Sequence, residues 1–146
     1  MEHVVITVCQ FQLDIEHWML IMQYVLVVGF FVIGQHVPVL LQEVLKYLAP
    51  QPNENFIDGT LGTGGYTKAI LELTAPHGRV LGVDLDKEAY QRAQETLAQD
   101  HIDKERLLFR QGNFSALRTI VAQTHLGKIS GIVLDLGLNT DSLEHS

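Results

Sequence analysis

Asp58-Gly59-Thr60-Leu61-Gly62-Thr63-Gly64-Gly65 decides how the rest of this chain is read. An apolar run, Phe56-Ile57-Asp58, leads into it, and Tyr66, Ala69, Ile70 and Leu73 follow at helical spacing. A buried strand therefore hands over to a helix through a glycine-rich turn, where the backbone can turn sharply and approach a ligand closely.

Working outward, the same alternation recurs on both sides. Pro38 suits a first helical turn, Leu40, Leu41, Val44, Leu45 and Leu48 share one face, and Ala49-Pro50 is the stop. Downstream, Pro76-His77-Gly78 ends the helix after the loop, and Arg79 to Val83 reads as a second strand. Asp86 caps a helix carrying Ala89, Tyr90, Ala93 and Leu97 inward, and Arg106 to Arg110 reads as a third strand. Ser115 caps a helix through Thr124 with Leu117, Ile120 and Val121 inside, and Gly131 to Asp135 is a fourth strand. The βαβ order predicts an α/β, Rossmann-like parallel sheet, with the sheet incomplete at its carboxyl end. An incomplete sheet exposes an edge, so marginal stability or self-association is expected.

Two segments follow from composition. Residues 1–35 read as an apolar leader ahead of an α/β domain at 36–146, and residues 18–34 are almost unbroken apolar sequence, an amino-terminal helix packed on protein or a membrane segment. No Lys or Arg occurs before Lys46, so the basic flank that orients a signal peptide or membrane span is missing and membrane association is disfavoured. The lone cysteine, Cys9, excludes an internal disulfide framework, lies apart from any zinc-ligand cluster, and fits a reducing, cytoplasmic compartment. A net charge of −7 over 146 residues means that any RNA contact needs a local patch, another segment or a partner.

Three ligands compete for the glycine loop. A nucleoside triphosphate needs the Lys-Ser/Thr pair of a P-loop, and Gly65-Tyr66-Thr67 offers no lysine. A dinucleotide wants a third small residue where Thr67 stands. S-adenosylmethionine needs only close backbone approach at Gly62 and Gly64 and an acidic residue before the glycines, which Asp58 supplies. Asp84, closing the second strand a little over twenty residues past Gly62, is placed for ribose hydroxyls, leaving Asp86 as the helix cap. After the third strand, the Asn113 amide suits hydrogen bonding to adenine and the Phe114 ring suits stacking on it. Asp135 ends the fourth strand at the switch point of the sheet, an expensive place for a carboxylate without a role.

With these residues placed, the sequence resembles the bacterial and organellar ribosomal small-subunit (16S) RNA cytosine-N4 methyltransferases. HVPVLLQEVL from His36, FIDGTLGTGG into TKAIL, GVDLD, QGNFSAL and GKISGIVLDLG carry the resemblance, which runs from His36 to about Leu143. It implies that Gly64, Gly65, Tyr66, Asp84, Phe114 and Asp135 contact S-adenosylmethionine. Tyr66 replaces the family's usual histidine, and Ser142 stands where a cofactor-contacting glutamine is usual. It further implies direct methyl transfer to the exocyclic amine of a cytidine, with no metal, on small-subunit RNA or the assembled subunit. Asp135 is then the candidate acceptor of the amine's hydrogen bond. The competing expectations are a cofactor-binding module without chemistry and, disfavoured by Thr67, a nicotinamide-dependent oxidoreductase.

Overall fold

A computed structural model describes the backbone of residues 2–9 and 38–138 and the side chains of residues 41–135. Strands β1 (Glu2–Cys9), β2 (Asn55–Asp58), β3 (Val80–Asp84), β4 (Leu107–Gln111) and β5 (Ile129–Leu138) form one sheet in the order β1-β5-β2-β3-β4. β5, β2, β3 and β4 run parallel, as expected. Helices α1 (Pro38–Leu48), α2 (Gly65–Leu73), α3 (Ala89–Gln99) and α4 (Leu117–Ala122) connect or flank them.

Strand side chains alternate between two cores, which is why the sheet needs helices on both faces. Phe56, Val80 and Val133 pack with Val44, Leu48, Ile70, Leu71, Ala93 and Leu97 of α1, α2 and α3. Their strand neighbours Ile57, Leu81, Ile132 and Leu134 pack on the other face with Leu117, Ile120 and Val121 of α4. The chain builds outward from β2 through β3 to β4, then returns past β2 to β5. The gap above β2 and β5 is thus the switch point of the sheet.

Several expectations are corrected. Part of the leader is a strand and not a helix: β1, whose Val4-Val5-Ile6-Thr7-Val8 run is rich in β-branched residues, pairs antiparallel with β5 from Glu2↔Leu138 to Cys9↔Gly131. The β5 edge, expected to be open, is therefore covered. The reading of residues 18–34 lies outside the described residues, among which no helix is long and apolar enough to cross a membrane.

The inner face of α2 is Thr67, Ile70 and Leu71, while Leu73 is 46% exposed. Its rotation follows from Thr67, whose hydroxyl donates to buried Asp58 at 2.8 Å. The helix also stops early, at Leu73, where Thr74 turns its own hydroxyl onto the Ile70 carbonyl. Ser115 is not a cap. The Asn113 carbonyl oxygen accepts from the Ser115 amide at 2.9 Å and opens a short 3₁₀ turn, Phe114–Ala116, ahead of α4. Asp86 does cap, accepting from the Glu88 amide at 2.9 Å and pairing with Arg92 at 2.8 Å.

Candidate cofactor site

The carboxyl ends of the four parallel strands bring Asp58, Asp84, Gln111 to Phe114, and Asp135 to one end of the sheet. The glycine loop between β2 and α2 is bonded to the strands on both sides of it. Gly59 donates to the Val133 carbonyl at 2.9 Å on the β5 side, and Leu61 to the Val83 carbonyl at 3.0 Å on the β3 side. The Thr60 hydroxyl accepts from the Asp135 amide at 2.7 Å, and the Gly62 amide donates to Asp84 Oδ2 at 2.8 Å. Neighbouring strands thus shape the loop before any ligand arrives, so binding need not order it.

A cavity of about 200 Å³ opens beside this loop, lined by Gly59, Thr60, Asp84, Leu85, Gly112, Asn113 and Phe114. It is smaller than the roughly 300 Å³ lower bound of small-molecule pockets, a size suited to one end of an extended ligand. Its two apolar walls are unusual for surface residues: Leu85 is 67% exposed and Phe114 38%. Both sit at strand ends held by backbone bonds, since Gln111 Nε2 donates to the Leu85 carbonyl at 3.0 Å and Gly112 to the Asp84 carbonyl at 2.9 Å. Their exposure comes from where the strands end. Asp84 keeps acceptor capacity, because its two oxygens each take one backbone donor, Gly62 and Asp86, and a carboxylate oxygen can accept two.

The residues singled out in the sequence fall into separate places. Asp84, Asn113 and Phe114 line the cavity. Asp58 does not face it: the side chain is fully buried, with Thr67 on Oδ2 and the Thr60 amide on Oδ1 at 3.2 Å. Burial pushes its pKa from 3.8 up to about 6 against the pull of those hydrogen bonds, with Asp135 and Asp84 raising it further. Tyr66 is partly buried, and burial, followed by Asp135 and then Asp58, raises its phenol to about 12. It is a neutral hydrogen-bonding group at any physiological pH. Asp135 is partly buried at the end of the described side chains, with its amide on Thr60.

Gly62 serves the loop through Asp84, and Gly64, at φ 81°, packs against Ala93 of α3. Gly65 has open space where a side chain would be. Ser142 lies outside the described residues. The sequence reading missed Gly59, Thr60, Leu85 and Gly112. An apolar residue placed directly after a strand-end acid, where the chain must leave the sheet, is the signal that would have found Leu85.

Among the described residues no cluster of His, Cys, Asp or Glu is arranged to hold a metal ion.

Comparison with known proteins places this geometry. Residues 34–146 match the model of the MraW methylase family. The chain is 44% identical over 110 residues to the ribosomal RNA small subunit methyltransferase H of Syntrophotalea carbinolica, covering 75% of this chain and 34% of that protein. It is 44% identical over 111 residues to the protein of the same name from Granulibacter bethesdensis, covering 76% and 32%. The chain thus spans about a third of the length of the curated relatives it matches. A solved rRNA methylase from Streptococcus thermophilus is similar with a TM-score of 0.47 at 15% identity, over 61% of this chain and 49% of that one. On the match across most of its length, the chain belongs to the MraW methylase family.

Proposed function

We propose that this chain binds S-adenosylmethionine at the carboxyl end of its parallel sheet and forms the cofactor-binding part of an RNA methyltransferase. The cavity between Leu85 and Phe114, with Asp84 at its floor, carries the reading. Two exposed apolar side chains flanking a slot suit a flat heteroaromatic ring, and a strand-end carboxylate with free acceptor capacity suits vicinal hydroxyls. Asn113 spends its carbonyl oxygen on the Ser115 amide, which leaves its amide nitrogen to donate to a ring nitrogen. Asp84, Asp135 and, behind the loop, Asp58 give this end of the sheet a negative potential that favours a cationic ligand.

When bound, S-adenosylmethionine supplies an electrophilic methyl group on a sulfonium. The chain's own residues then have three tasks. The strand-bonded loop holds its backbone against the ligand, Leu85 and Phe114 exclude water from the ring, and Asp135 accepts a hydrogen bond from the incoming amine. A cytidine N4 amine in small-subunit ribosomal RNA is the target we infer from the relatives' name and from the Leu-Asp-Leu-Gly run at residues 134–137. With a net charge of −7, the chain needs a local patch or a partner to hold that RNA. The lone Cys9 and such a substrate fit the reducing cytoplasm.

Calorimetric titration tests the cofactor reading. The purified chain is expected to bind S-adenosylmethionine saturably and reduced nicotinamide dinucleotide not at all; the reverse pattern, or no binding by a folded sample, refutes it. Phe114→Ala removes one wall of the ring slot. It should weaken S-adenosylmethionine binding roughly tenfold, on the order of a lost stacking contact, with little change in melting temperature because the side chain is already exposed.

A further inference from the structure

Thr60 stands at the first bend of the glycine loop and touches three parts of the site at once. Its hydroxyl accepts the Asp135 amide at 2.7 Å, a contact spanning 75 residues of sequence. Its own amide donates to Asp58 Oδ1 at 3.2 Å, and the residue also lines the cavity beside Asp84 and Phe114. The backbone on either side is pinned, because Gly59 is bonded to Val133 and Leu61 to Val83. The hydroxyl therefore has little freedom to leave Asp135. A side chain here takes the place of a ladder bond, extending the pairing of β2 with β5 beyond Asp58↔Val133 to the residue that carries the strand-end carboxylate.

We propose that Thr60 is a positioning residue, its hydroxyl fixing the Asp135 backbone and thereby the direction in which the Asp135 carboxylate faces the cavity. The assignment deepens the cofactor reading and rests on it only for ligand affinity; the backbone contact stands independently. Chemistry at this position demands a hydroxyl. Valine has the same shape but sets a methyl group against an amide that needs an acceptor, whereas serine keeps the oxygen.

The test uses the whole ¹⁵N-labelled chain with Thr60→Val and Thr60→Ser, reading hydrogen exchange at the Asp135 amide, melting temperature and S-adenosylmethionine affinity. Serine is expected to keep both exchange rate and affinity near wild type. Valine should speed exchange at Asp135 about tenfold and weaken affinity about tenfold, the scale of one net hydrogen bond. A folded valine chain whose Asp135 amide exchanges at the wild-type rate, or a serine chain that behaves like valine, overturns the assignment. If valine prevents folding, Thr60→Ala removes the same oxygen without the added methyl and is read in the same way. If the wild-type chain itself does not bind S-adenosylmethionine, the cofactor reading fails, and the exchange rates alone still decide the role of Thr60.

Discussion

Gly64→Ala should destabilise the chain by about 3 kcal/mol, from a left-handed backbone penalty of roughly 1 kcal/mol and an overpacking cost of about 2 kcal/mol. Gly64 sits at φ 81°, and a Cβ there would lie 2.8 Å from Ala93 Cβ and 3.0 Å from Ala93 Cα. The second contact is with backbone in the middle of α3, which no rotamer change relieves. α2 would be levered away from α3, carrying with it the loop that shapes the cavity, so ligand binding should fall as well. A paired substitution separates the two causes. Ala93→Gly removes the steric partner and leaves the dihedral strain, at its own cost of about 1 kcal/mol in a helix interior. Urea denaturation of the double variant should show it less destabilised than the sum of the single changes by 1 kcal/mol or more. Strict additivity would mean that the clash with Ala93 is not what Gly64 avoids.

Asp58→Asn should reverse a pH-dependent weakness in the fold. The carboxyl is fully buried, and its pKa is raised from 3.8 to about 6 chiefly by desolvation. The folded state therefore holds a proton that the unfolded chain has already released, and stability must fall as pH rises between these two values. Below pH 3.8 the group costs nothing; above about 6 its full penalty is present, about 3 kcal/mol. Asparagine does not titrate, keeps an acceptor for the Thr60 amide, and offers an amide that the Thr67 hydroxyl can meet as an acceptor. Relative to wild type, the variant should gain close to 3 kcal/mol of stability between pH 4 and pH 7.5. Other titrating groups cancel in that comparison. A stability difference that stays flat across the window would show that Asp58 is not ionised at the cost its burial implies.

These two residues also mark the line between what was legible in the sequence and what was not. The four parallel strands, the helices between them and the glycine turn could be read directly, because each is a local pattern: an apolar run of strand length, a helical repeat, glycines where a strand must hand over to a helix. Asp84, Asn113 and Phe114 were legible for the same reason, as a strand end fixes which residues reach the carboxyl edge of the sheet. Asp58 occupies an equivalent strand end, yet its side chain turns inward. That direction is chosen by Thr67, nine residues on, whose hydroxyl meets it at 2.8 Å; the same bond rotates α2 and exposes Leu73.

The face of a helix can be read only to within about one residue from apolar spacing, since a buried hydroxyl with a partner serves as well inside as a leucine. Asn113 rather than Ser115 opens the turn before α4 because the choice depends on how the chain leaves β4. The pairing of β1 with β5 joins residues more than 120 positions apart, and Thr60 reaches Asp135 across 75. By itself the sequence determined the elements, the glycine loop and the family. Only the tertiary structure decided which strand covers the β5 edge, which carboxylate is buried and which lines the cavity, because those depend on hydrogen bonds between groups that no local pattern brings together.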